Sequence, residues 1–258
     1  MRTLCEEERL TKLLSYESAL WQAGKTLVAG VDEAGCGPWA GPVMAAAVIL
    51  PVQCRIPGID DSKRLSHEKR LRLVPIIQEN AIAYAVAACS VQEIDRLNIR
   101  EASRWAMSRA VLSLAVQPEH VLVDARIIPN ITMPQQGIVH GDAKSQSIAA
   151  ASILAKVARD LWMLELAKQY PGYGFEQHKG YGTAMHQRAL TELGCCPEHR
   201  RSFAPIARRL GQAVKVKQKA MARKRGALRE TFDRSTPLNA HENDQSPQGM
   251  KHQCGNQQ

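Results

Sequence analysis

Val28-Ala29-Gly30-Val31-Asp32-Glu33-Ala34-Gly35-Cys36-Gly37-Pro38-Trp39-Ala40-Gly41-Pro42 is the stretch on which the reading of this chain turns. An apolar strand runs into two adjacent carboxylates, a glycine-rich turn follows, and Val43 to Leu50 is apolar again. A run that is apolar on both faces fits a buried central strand, and the Gly35 to Pro42 turn joins the two strands as a hairpin. Open α/β sheets place their chemistry at the carboxyl ends of strands, so Asp32 and Glu33 read as metal ligands. Glycine lacks a Cβ and tolerates positive φ, which would let a nucleic-acid backbone approach the turn closely. The turn has neither the G-x-x-x-x-G-K-[ST] spacing of a phosphate loop nor a dinucleotide fingerprint, because Gly41 falls one residue too far from Gly35-x-Gly37.

Upstream, the spacing of Leu10, Leu13, Leu14 and Ala19 predicts an amphipathic helix over residues 4–23, ended by Gly24. The first strand is expected from Thr26 to Asp32. Downstream, Ser66 and Glu68 mark the start of a helix reaching about Gln78. Ala81 to Ala88 sets Ile82, Tyr84 and Val86 against alanines with a period of two, the signature of a strand. A helical turn over 91–97 and a helix over 99–116 follow. Val121-Leu122-Val123-Asp124 is a second strand that ends on a carboxylate, and 131–139 is an extended piece interrupted by Pro134.

Gly141-Asp142-Ala143-Lys144-Ser145 leads into the longest predicted helix, 145–169. Its Ala149, Ala150, Ala151 and Ala155 would let it lie close on a sheet and hold Asp142 near the strand ends. Residues 173–182 form an aromatic, glycine-rich loop before a helix over 183–193 and an apolar-basic segment over 205–210. The order of elements predicts an α/β domain spanning residues 1–210. From 211 to 258 the chain is basic and then polar without periodicity, which predicts a disordered tail.

The chain has 258 residues, an apolar fraction of 45% and a net charge of +9. That is enough apolar material for a real core, and the charge favours an acidic partner, nucleic acid first. Seven cysteines with no Cys-x-x-Cys spacing fit a reduced cytoplasmic protein. Three acids at Glu6 to Glu8 and the lack of an apolar h-region argue against a secretory signal. No stretch approaches the roughly 20 apolar residues of a membrane span.

Four acids occupy telling places: Asp32 and Glu33 after the first strand, Asp124 after a later one, and Asp142 before the long helix. Buried without partners, such groups would cost several kcal/mol each, so a cluster of them must be solvated, protonated or neutralised by a cation. Hard oxygen donors with no neighbouring Cys or His pair select Mg2+ or Mn2+ over zinc. Two such ions roughly 4 Å apart would clamp a phosphodiester. Taken singly, Asp124 reads as a turn residue paired with Arg126 and Asp142 as an acid favoured by a helix dipole; the four together are more specific.

The motifs so far, with Asp61-Ser62-Lys63-Arg64-Leu65, Val123-Asp124-Ala125, Ile148 to Asp160, Tyr170-Pro171, His178-Lys179-Gly180-Tyr181-Gly182-Thr183 and His199-Arg200-Arg201-Ser202-Phe203, resemble type 2 ribonuclease H (ribonuclease HII) of the bacterial type, in the family's order and over roughly residues 25 to 210. The resemblance implies a ribonuclease H-like mixed sheet flanked by helices, with a helical C-terminal portion. It implies endonucleolytic hydrolysis of the RNA strand of an RNA–DNA hybrid, and nicking 5′ to a single ribonucleotide in duplex DNA, leaving 5′-phosphate and 3′-hydroxyl ends. Asp32, Glu33, Asp124 and Asp142 match the family's catalytic, metal-binding acids. Gly35, Cys36 and Gly37 match the turn whose backbone reads the ribose 2′-hydroxyl, and Tyr181 a tyrosine that stacks on the following deoxyribose. Lys63 and Lys179 match phosphate-holding positions, and Ser145 matches a motif position that reads equally well as a helix N-cap. The partners expected are the RNA–DNA hybrid and ribonucleotide-containing duplex DNA, with no membrane, for a chain read as a monomer whose protein partners are unknown.

Two positions depart from the family's commoner residues: Cys36 stands where arginine is usual and Ala125 where glycine is. A different nuclease on the same sheet would announce itself by cutting pure DNA. A non-catalytic binding module explains the charge but not four acids gathered against an anionic ligand.

Overall fold

The computed structural model describes residues 2–211, so the tail predicted from residue 211 lies outside the described residues but for its first glycine. Helices α1 (Arg2–Leu13) and α2 (Ser15–Gln22) precede the hairpin of β1 (Val28–Ala34) and β2 (Val43–Ile49). Then come α3 (His67–Asn80), β3 (Ala83–Cys89), α4 (Val91–Leu97), α5 (Ile99–Leu112), β4 (His120–Asp124) and β5 (Gln135–Ile138). A 3-10 turn, Gly141–Ala143, leads into α6 (Gln146–Gln169), followed by α7 (Phe175–His178), α8 (Ala184–Leu193) and α9 (Ala204–Arg209).

The described strands form one mixed sheet in the order β3-β2-β1-β4-β5. β2 runs antiparallel to both β1 and β3, while β1–β4 and β4–β5 are parallel. β2 is buried along its whole length, as its unbroken apolar run predicts. Ala29, Val31, Ala45, Ala47, Val121 and Val123 pack with α5 on one face of the sheet. Ala46 and Val48 pack with α6 on the other. The approach of α6 is close because Gly30 faces it: a Cβ there would stand 2.0 Å from the Ser147 carbonyl carbon.

Ser66 and Ser145 cap α3 and α6 as expected, each accepting a backbone N–H three residues on. The single helix expected over 4–23 is instead two, broken at Leu14. The break serves two packing demands. Leu10 and Leu13 join the core on the α6 face, whereas α2 turns the fully buried Glu17 onto the start of α6, where it accepts from the Ser145 hydroxyl at 2.7 Å and the Ser147 N–H at 2.9 Å. In β3 the small face is the inner one: Ala83, Ala85 and Ala87 meet the core while Ile82, Tyr84 and Val86 are exposed. Among the described residues no helix is long and apolar enough to cross a membrane.

Candidate active site

β1 and β4 are parallel neighbours with Val31 opposite Val123, so Asp32 and Asp124 emerge side by side at their carboxyl ends. The 3-10 turn before α6 brings up Asp142 against them. One carboxylate oxygen from each of Asp32, Asp124 and Asp142 lies within 4.8 Å of the others. Asp32 and Asp142 are each only 3% exposed. Burial first, then the charges of Glu33 and Asp124, hold the Asp32 carboxyl well above the usual range. Asp124 is raised by burial and partly rescued by the Gly141 N–H, which donates to it at 2.7 Å.

Glu33 is near this trio but does not face into it. Successive strand residues project to opposite faces, so Asp32 turns toward α6 and Glu33 toward α5. The Glu33 carboxylate meets Arg126 at 3.5 Å and accepts from the Cys36 thiol at 3.4 Å, leaving its second oxygen buried without a protein partner. Burial raises Glu33, and Arg126 pulls it back. Arg126 is therefore the partner of Glu33 and not of Asp124, so the turn-pair reading of Asp124 is not realised. Burial and the Glu33 charge push the Cys36 thiol up to about 12, so it stays neutral.

The donor set suits a hard divalent cation: three carboxylates converge, two of them buried, with no imidazole or thiolate among them. The Lys63 ammonium supplies countercharge, donating to Asp142 at 3.0 Å with Asp61 at 3.8 Å. Burial is the largest single influence on Lys63 and would lower it, but the bond to Asp142 together with the charges of Asp142, Asp61 and Asp32 outweighs burial and raises it. Lys179 sits in a left-handed conformation, and its ammonium donates to the Glu176 carbonyl at 2.7 Å.

The glycine turn is held from behind by two buried arginines, Arg159 and Arg200, whose sequence context gives no local sign of this role. Arg200 donates to the carbonyls of Gly35 (2.7 Å), Cys36 (3.2 Å) and Gly41 (2.9 Å). Arg159 donates to those of Pro42 (3.0 Å), Ala40 (3.1 Å) and Lys179 (3.1 Å). This gives Gly35 a second reason to be glycine. Its φ is +98°, and a Cβ there would strike the Arg159 side chain at 2.1 Å. The N–H groups of Cys36 and Gly37 have no acceptor among the described residues. Gly37 faces the ring of Tyr181, a residue that is 47% exposed.

Buried histidines fix the backbone around Tyr181, and their partners assign each proton. His186 Nδ1 donates to the Tyr181 carbonyl at 3.0 Å, so its Nε2 accepts from His199 Nε2 at 3.0 Å. His199 Nδ1 then accepts the Cys196 N–H at 3.0 Å. His178 donates through Nε2 to the Tyr173 carbonyl at 2.7 Å and accepts the Gly180 N–H at 3.1 Å. Burial pulls His186 and His199 down to about 4.

A family model described as ribonuclease HII matches residues 29–206. The ribonuclease HII of Myxococcus xanthus is 56% identical over 207 residues, covering 80% of this chain and 71% of its own. That of Geobacillus kaustophilus is 54% identical over 200 residues, covering 78% and 76%. Among solved structures, ribonuclease H2 from Pyrococcus horikoshii superposes with a TM-score of 0.60 at 26% identity, over 70% of this chain and 96% of that one.

Proposed function

The chain belongs to the ribonuclease HII family and is a ribonuclease H, and from that premise we propose that it hydrolyses the RNA strand of RNA–DNA hybrids and nicks 5′ to single ribonucleotides in duplex DNA. The observation that carries this reading is the convergence of Asp32, Asp124 and Asp142 beside a glycine turn with free N–H groups and an exposed aromatic ring. Asp32, Asp124 and Asp142 would hold Mg2+ or Mn2+, with Glu33 at the margin of the set. Bound there, the cations would supply activation of water and neutralisation of charge on the attacked phosphate, roles that a two-metal mechanism would divide between two ions.

The chain's own residues do the rest. The Cys36 and Gly37 N–H groups donate to the ribose 2′-hydroxyl, the local mark that separates RNA from DNA. Reading by backbone N–H groups does not depend on the side chain at position 36, so Cys36 is compatible with it. Tyr181 offers its ring to the sugar that follows, and Gly37 leaves room for the approach. Lys63 steadies a phosphate next to Asp142, and Lys179 another at the far side of the turn.

The test uses end-labelled duplex DNA carrying one ribonucleotide, an all-DNA control, and Mg2+, Mn2+ or EDTA. The expected result is a metal-dependent nick 5′ to the ribonucleotide with the control intact. Cleavage of a longer hybrid without that nick would refute single-ribonucleotide recognition. Cutting of the all-DNA duplex would refute the substrate class.

A further inference from the structure

A basic cleft lies beside the carboxylates, and the chemistry above makes no use of it. It encloses about 610 Å³ and is lined by Cys36, Ile99, Ile127 and three arginines, Arg100, Arg104 and Arg126. Ala125, next in the chain to Asp124, also borders it, and two of its lining residues, Cys36 and Arg126, are the contacts of the Glu33 carboxylate.

The arginines come from two elements and are aimed by their contacts. Arg126 is pinned between Glu33 at 3.5 Å and the Ser103 hydroxyl at 2.9 Å. Arg104 donates through Nε to the Ile127 carbonyl at 2.9 Å and through Nη1 to Glu101 at 3.0 Å. Arg100 makes no ion pair among the described residues and is exposed. Arg100 and Arg104 stand four residues apart on α5 and so share a face, an arrangement of like charges that is unfavourable on its own. Glu33 and Glu101 offset two of the three charges, which leaves the cleft cationic. A like-charge pair facing a pocket, next to a third guanidinium, asks for an anion. Guanidinium forks match phosphate oxygens in pairs, while exposed Ile127 and half-buried Ile99 offer an apolar wall to a sugar.

We propose that this cleft binds a backbone phosphodiester of the substrate duplex, on the Glu33 side of the carboxylates. The proposal rests on the ribonuclease reading above and adds a phosphate subsite to it. Arg100 and Arg104 hold the phosphate, and Arg126 does so while fixing Glu33.

The test is binding of a fluorescently labelled RNA–DNA hybrid in EDTA, followed by anisotropy from about 50 to about 200 mM salt, since each phosphate contact contributes about 0.9 to the log–log slope. Arg100→Gln/Arg104→Gln is expected to flatten the slope by about 0.9, and with metal present to raise KM at unchanged kcat. Arg104→Lys, which keeps the charge, should retain the slope. Arg100→Gln alone guards against misfolding, because Arg100 is exposed and unpaired. A hybrid with a neutral methylphosphonate at each linkage in turn locates the phosphate: one linkage should weaken wild type and leave the double variant unaffected. An unchanged slope, or methylphosphonate penalties equal in both proteins at every linkage, overturns the subsite. Wild type that cleaves hybrid normally while the variants show no change discards the cleft alone. Wild type that never cleaves hybrid removes the functional reading and the subsite with it.

Discussion

Acidification tests the histidine chain behind Tyr181. His186 and His199 are buried and bonded in their neutral forms, and burial pulls each from the usual 6.5 to about 4. The sign follows from proton counts. Between those two values the unfolded chain binds protons that the folded one refuses, so stability is intact above pH 6.5 and falls as the pH drops toward 4. At about pH 5 the unfolded rings lie about 1.5 pH units below their own pKa, worth on the order of 2 kcal/mol for each ring at 1.36 kcal/mol per unit. The two rings share a hydrogen bond, so their losses do not simply add. Glu17, Asp32 and Glu33, held high by burial, take up protons more readily when folded and act in the opposite sense. The assay therefore observes the rings themselves, by long-range 1H–15N spectra of the labelled protein. The expected spectra show His199 protonated on Nε2 and His186 on Nδ1, with neither ring titrating until about pH 4. Titration of either ring above pH 6, or His186 protonated on Nε2, would refute the relay and the placement of the Tyr181 loop derived from it.

Three substitutions probe the rest. Ala125 is held at φ +53° with its N–H bonded to the Ile138 carbonyl; left-handed backbone costs alanine about 1–2 kcal/mol and glycine's extra unfolded freedom returns about 0.4–1, so Ala125→Gly should stabilise by about 0.5–1 kcal/mol in urea titrations. Asp32→Asn should lower kcat by about 10^3 or more, the several kcal/mol of lost charge stabilisation at tenfold per 1.36 kcal/mol, while hybrid binding in EDTA holds or tightens; near-normal turnover would sink the carboxylate argument. Gly30→Ala drives a Cβ into the Ser147 backbone and should destabilise by about 3 kcal/mol, lowering the thermal midpoint by several degrees and weakening cleavage, because α6 and the Asp142 turn move together.

Local pattern carried much of this protein. The apolar run of β2, the period of two in β3, the serine caps of α3 and α6, and the carboxylates ending β1 and β4 are each written in a few consecutive residues. The parting of Asp32 and Glu33 was available too, since strand alternation alone sends neighbours to opposite faces. Other features have no local signature. Which face of β3 turns inward depends on what packs there, and the smaller alanines won because α5 lies close against them. Arg159 and Arg200 look like solvent-facing charges in sequence, yet each is buried against carbonyls of the glycine turn more than a hundred residues away. Arg126 adjoins Asp124 in the chain but pairs with Glu33, and Glu17 closes the start of α6 from the far end of the sequence. The sequence by itself determined the elements and the acids they present, because propensity and periodicity act over one or two turns. Only the tertiary structure decided which charges are buried and what satisfies them, because a buried charge is stable only with partners, and here those partners are distant in the chain.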